Sequence, residues 1–198
     1  MAWPVILAPW FNRSSCADEL MHQFQQSGQL QWLEQLIMQC GDDLYHFLLR
    51  QADAELAADI SQQCWLKVLE NRHSYRAESR FKTWLFTLAR NALVDELRKQ
   101  QRWQFTEWQD GQTGGQADSS CRDNMAEQLA GLQQQQRLAA GLAALPLLQR
   151  EAILLQLEEF SLDDIAHITG ELPETIKSRL RYARERLAHF MGEDNVKI

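Results

Sequence analysis

Apolar residues recur along this chain at spacings of three and four, and no stretch alternates with period two over a useful length, so the pattern predicts an all-α protein. Leu56, Ile60, Cys64 and Val68 climb one face in steps of four, while Asp59, Gln62, Gln63 and Lys67 lie elsewhere on the same helix. Such a helix buries one side and presents the other. The polar run ENRHSYRAES follows, and then Phe81, Trp84, Leu85 and Leu88 restart a helix expected to reach about Gln101.

Between Trp103 and about Asn124 the periodicity fails. GQTGGQADSS is rich in Gly, Ser and Gln and has no periodic apolar residue, as expected of a flexible linker. Helices resume near Met125, pass through Gln133 to Gln136 as a polar face, and reach LAALP, where Pro146 ends one helix or opens the next. The expected organisation is two small helical domains joined by that linker. It comprises an N-terminal extension over 1–28, a first domain over 29–102, the linker over 103–125 and a second domain over 126–198.

The second domain carries a local signature. Ser161 followed by Asp164 reads as a capping box, with Asp in place of the usual Glu or Gln, opening a short helix from Leu162 to Thr169. Gly170 allows the left-handed turn that ends it. A second helix begins near Pro173 and carries Ile176, Leu180, Ala183 and Leu187 inward. Two short helices joined by a Gly-containing turn make a helix-turn-helix, whose second helix has the diameter to enter a DNA major groove. Its outward residues would be Thr175, Lys177, Ser178, Arg179, Arg181 and Arg184.

A net charge of −7 argues against a nucleic-acid partner until its distribution is considered. From Arg72 to Arg102 there are eight Lys/Arg against three Asp/Glu, and from Glu174 to His189 five against two. Thirteen of the twenty basic residues therefore sit in two short windows, the footprint of a protein that meets phosphate at two places. In the first window Asn91, Asp95, Arg98 and Arg102 share a helix face with Lys99 beside it, where cations hold phosphate and Asn91 offers both donor and acceptor. The preceding polar loop, Asn71 to Ser79, is the better candidate for capturing an unstacked base. Tyr75 or His73 would stack, Ser74 or Asn71 would read a base edge, and Arg76, Arg80 and Lys82 are the neighbouring cations. Trp84 fits a core position better than a stacking platform.

LPLLQREAILLQLEEFSLDDIAHITGELPETIKSRLRYARERL resembles region four of the extracytoplasmic-function class of bacterial sigma factors, with its LP start, IA in the first helix and TxKSRLxxAR in the second. DISQQCWLKVLE followed by RFKTWLFTLARNALVDELRK is similar to region two of the same class. The resemblance implies a transcription initiation factor that binds core RNA polymerase and promoter DNA, with an anti-sigma factor as a further partner. It assigns the minus-ten element to the first domain and the minus-thirty-five element to the helix-turn-helix. It also assigns Asp59, Gln62, Gln63 and Lys67 to polymerase binding. Gln63 stands where the family usually has an acidic residue. The alternative is a helix-turn-helix activator or repressor that never engages polymerase stably, a class with no need of a base-capturing loop.

No Gly-rich phosphate loop, HExxH or GxSxG occurs, so no catalytic residue and no cofactor is expected. Cys16, Cys40, Cys64 and Cys121 show no recognised zinc spacing. CADELMH and CGDDLYH each hold Cys and His six apart, which on a helix puts them on poorly matched faces, so no metal is expected. MAWPVILAPWF is apolar but lacks a basic flank, is broken by two prolines and falls short of the roughly 20 residues of a membrane span. Reduced thiols, no membrane insertion and a cytoplasmic location are the expectation.

Overall fold

The computed structural model describes residues 13–76, 79–107 and 136–191, and every regular element among them is helical. Four helices build the first half: α1 (Arg13–Ser27), α2 (Leu30–Leu49), α3 (Ala54–Glu70) and α4 (Phe81–Glu107), with a 3-10 turn over Arg72–Ser74. The second half has a helical stretch over 136–143 (α5), then α6 (Leu147–Leu157), α7 (Leu162–Thr169) and α8 (Pro173–Met191).

The expected stripe of α3 is realised one residue out of phase at its start. Ala57, Ile60, Cys64 and Val68 are buried, while Leu56 is only half-buried against the core. Asp53 caps this helix, its carboxylate accepting the Leu56 backbone N–H at 2.8 Å. Phe24 of α1, Leu36, Leu44 and Phe47 of α2, and Phe81, Leu85 and Phe86 of α4 close the core around that stripe. Each such side chain contributes about 1.5–3 kcal/mol when fully buried, so this cluster holds the four helices together. Trp84 and Leu88 pack half-buried at its edge, giving Trp84 the core role expected of it.

Helix α1 belongs to this core rather than trailing from it. Ala17, Leu20, Met21 and Phe24 are all buried, at the spacing of one helix face, although they lie within the span expected to be an extension. Residues 1–12, with the whole of the apolar run, lie outside the described residues. Helix α4 continues past Gln101 to Glu107, because RWQFTE contains neither Gly nor Pro to stop it. The linker expected over 103–125 otherwise falls outside the described residues.

In the second half, Ser161 and Asp164 form the capping box in both directions, and Gly170 adopts φ 69° at the end of α7. Pro146 stands at the N-terminus of α6 and Pro173 opens α8, both positions where a missing N–H costs nothing. Ile176, Leu180 and Ala183 are buried and Leu187 half-buried, which seats α8 on α6 and α7.

Candidate nucleic-acid and polymerase interfaces

The helix-turn-helix leaves an outer face of α8 open. Lys177, Ser178, Arg181 and Arg184 are exposed and Thr175 is half-buried. Lys177 pairs with Glu174 at 2.6 Å, Arg181 lies 3.8 Å from Glu185, and Arg184 donates to the Gln156 side chain at 2.8 Å. All three cations remain accessible to phosphate. Arg179 differs from the expectation of an outward base reader. Its side chain is 14% exposed and its Nη2 is tied to Glu171 Oε1 at 2.6 Å, because the turn before α8 swings a carboxylate across it. Tyr182 is a residue the sequence reading missed. It lies exposed on the same helix, with the Arg181 guanidinium 4.8 Å from its ring centroid.

The loop before α4 displays Asn71, His73, Ser74, Arg76 and Arg80 to solvent. Ser74 Oγ donates to the Asn71 carbonyl at 2.7 Å, closing the 3-10 turn, and Arg72 Nε lies 3.2 Å from His73 Nε2. Tyr75 does not present a stacking face. Only 6% exposed, its ring packs 5.4 Å from Trp84 and 6.1 Å from Phe81. Its hydroxyl donates to the Ser79 carbonyl at 2.9 Å. Burial, with the Asp18 carboxylate nearby, pushes the phenol up to about 12. An aromatic one residue past a 3-10 turn carries no sequence mark that distinguishes a core anchor from a surface platform. His73 is therefore the accessible ring of this loop.

On α4, Asn91, Arg98 and Lys99 are exposed on one side, with Lys99 paired to Glu96 at 2.9 Å and Arg98 3.9 Å from Asp95. Arg102's side chain lies outside the described residues. Lys82 is not open to DNA in this arrangement. Its Nζ sits 2.9 Å from Asp43 of α2 and 3.4 Å from Glu158, beyond α6, and 5.5 and 5.6 Å from the Phe86 and Phe160 ring centroids. The reason is tertiary: the α6–α7 turn packs onto the start of α4, placing Phe160 4.8 Å from Phe86. Thr83 donates to Asp164 at 3.0 Å and Arg90 to Glu151 at 3.0 Å across the same junction. Burial raises Glu158 above the ordinary carboxylate value, partly countered by Lys82.

The third surface is on α3. Asp59, Gln62, Gln63 and Lys67 are all exposed, and among them stands Leu66, 48% exposed. A polar face with one exposed aliphatic residue suits protein docking, since contact there removes apolar area from water while the polar rim stays hydrated. Sequence reading passed over Leu66 because it falls outside the stripe that fills the core. The CGDDLYH segment offers no converging ligands: Cys40 is buried and His46 exposed. Cys16 of CADELMH lies outside the residues with described side chains, and no group of three or more potential metal ligands occurs among the described residues.

Comparison with known proteins fits this geometry. Residues 36–103 match the family model for sigma-70 region 2, and residues 125–187 match that for sigma-70 region 4. The chain is an extracytoplasmic-function sigma factor. It is 36% identical to the extracytoplasmic-function sigma factor EcfG of Rhodopseudomonas palustris, over 72% of this chain and 75% of the relative. It is 32% identical to SigM of Bacillus subtilis, over 74% and 86%. Among solved structures, it resembles the sigma factor RpoE of Bartonella quintana, crystallised with the anti-sigma factor NepR, with a TM-score of 0.67 and 27% identity. That match covers 82% of this chain and 98% of the other. The all-α fold and the family resemblance therefore hold. A region-two match also removes the reading of a free-standing helix-turn-helix regulator, since this sigma factor carries both region 2 and region 4. No described helix is long and apolar enough to cross a membrane.

Proposed function

We propose that this sigma factor reads the minus-thirty-five element with α8 and the minus-ten element with the loop before α4, while α3 docks on core RNA polymerase. One observation carries the reading: each matched region presents its own exposed basic surface. Arg76, Arg80, Arg98 and Lys99 stand in the first region and Lys177, Arg181 and Arg184 in the second. His73 is the ring available for stacking on a base, Ser74 and Asn71 are the polar groups beside it, and Asn91 lies further along α4. Lys82 reaches phosphate only by exchanging Asp43 and Glu158 for it, and Arg179 only by leaving Glu171. Thr175 and Ser178 complete the groove-facing set on α8.

Asp59, Gln62, Gln63 and Lys67 surround Leu66 as the polymerase-facing patch. The chain contributes recognition and leaves catalysis to the polymerase, acting in the cytoplasm where its template lies. An anti-sigma factor is proposed as its regulator, supported by the complex in which the Bartonella quintana relative was solved.

The test is transcription in vitro from a promoter library with purified core enzyme, alongside gel filtration of the sigma factor with core alone. Co-elution and starts sharing two spaced elements are expected. A Leu66→Arg variant should lose co-elution. Retained co-elution would move the polymerase interface off α3.

A further inference from the structure

We propose that α1 is a mould for the minus-ten loop, and that Gln25 is the positioning residue that sets which base the loop accepts. This inference rests on the reading of that loop as the base-reading element.

The side-chain amide of Gln25 has two N–H bonds, and both are spent on the loop backbone. Its Nε2 donates to the carbonyl of Arg72 at 3.0 Å and to the carbonyl of Tyr75 at 2.8 Å. Those two carbonyls bracket His73 and Ser74, so one side chain fixes both ends of the turn that displays them. Asp18, two helical turns earlier on α1, holds the far side of the loop. Its Oδ1 accepts the backbone N–H of Phe81 at 2.5 Å, capping α4 where the loop enters it, and lies 3.5 Å from the Tyr75 hydroxyl.

The end of α1 is shaped to the same purpose. Gly28 turns the chain at φ 66°, and a Cβ there would stand 3.1 to 3.4 Å from the Arg72 guanidinium. That guanidinium lies 5.8 Å from the centroid of the Phe24 ring. Backbone, anchor ring and flanking cation are thus all set by α1, leaving His73, Ser74 and Arg76 as the outward groups.

Base discrimination by hydrogen bonding and stacking depends on where donors and rings stand, and a loop held in its binding geometry loses less entropy on capture. Helix α1 precedes the segment that matches region 2, residues 36–103. The same loop sequence on another α1 would consequently present its side chains differently.

The experiment uses holoenzyme assembled from core polymerase and full-length sigma factor. Gln25→Glu keeps the shape but turns carboxylate oxygens toward two carbonyl oxygens, and Gln25→Met keeps the volume without donors. Each is assayed on promoters carrying all four bases at every minus-ten position. The readout is the ratio of open-complex formation on the best base to that on the second best, which cancels any change in active fraction. Loss of hydrogen bonds of this kind should lower the ratio about fivefold. Core affinity and the preference at minus-thirty-five should stay unchanged. His73→Ala and Ser74→Ala serve as controls for the loop itself.

If these controls shift the ratio and Gln25→Met does not, α1 only packs and the proposal is overturned. If none of the variants shifts it, the loop reading fails and takes this proposal with it. Should Gln25→Glu not fold, Gln25→Met decides alone.

Discussion

Arg90 of α4 and Glu151 of α6 form an ion pair across the junction between the two halves of the molecule, with Nε 3.0 Å from Oε1. Glu151 is 3% exposed, and its Oε2 has no hydrogen-bond partner among the described residues. Removing the arginine leaves a carboxylate in an apolar setting, which costs more than the pair itself contributes. Arg90→Ala should lower stability by about 3 kcal/mol, whereas an Arg90→Met, Glu151→Met double variant should fall close to wild type. Urea unfolding of the three proteins decides it. A double variant as unstable as the single one would mean that the pair itself is a net source of stability.

Glu171 restrains Arg179 on α8, the helix proposed to meet minus-thirty-five DNA. Glu171→Gln removes the charge that holds the guanidinium and frees it to neutralise a phosphate. Affinity for minus-thirty-five DNA should rise, and the slope of log K against log salt should steepen by about 0.9 for one additional phosphate contact. Fluorescence anisotropy over a salt series measures both. An unchanged slope would show that Arg179 stays in its packed position when DNA binds.

Tyr75 ties the loop to the core through a neutral phenol. Its value is raised from 10.0 to about 12, so the folded state keeps the proton that the unfolded chain releases. The stabilisation is complete below pH 10 and is lost as pH climbs toward 12. Tyr75→Phe should be less stable at neutral pH by about 1 kcal/mol for the lost hydrogen bond to Ser79. The wild-type advantage should shrink above pH 10 and reverse toward pH 12, because the buried phenol must ionise there and Phe has nothing to titrate. Denaturation midpoints at a series of alkaline pH values provide the check, and parallel curves would count against it.

Cys64 should resist alkylation in the folded protein. Burial pushes its thiol up to about 11, despite the opposing charge of Lys67, and its side chain is fully buried. At pH 8, mass spectrometry after iodoacetamide treatment should find Cys64 unmodified in buffer and modified in guanidinium. Labelling in buffer would reveal an opening motion between α3 and its neighbours.

What the sequence determined by itself was whatever is local. The stripe of α3, the Ser161–Asp164 capping box, the left-handed Gly170 and the inward set of α8 all depend on residues three or four apart, and helical periodicity displays them directly. The two basic windows were legible for the same reason. Tertiary structure decided which of their members are free to act. Lys82 is held by Glu158, 76 residues away, and the first turn of α4 is capped by Asp18, 63 residues away. Tyr75 became a core anchor because Phe81 and Trp84 close over it, and Arg179 turned to Glu171 across a turn. A side chain's type states what it can bind, but only the packing of distant helices sets whether water, a carboxylate or a nucleic acid is the partner it meets.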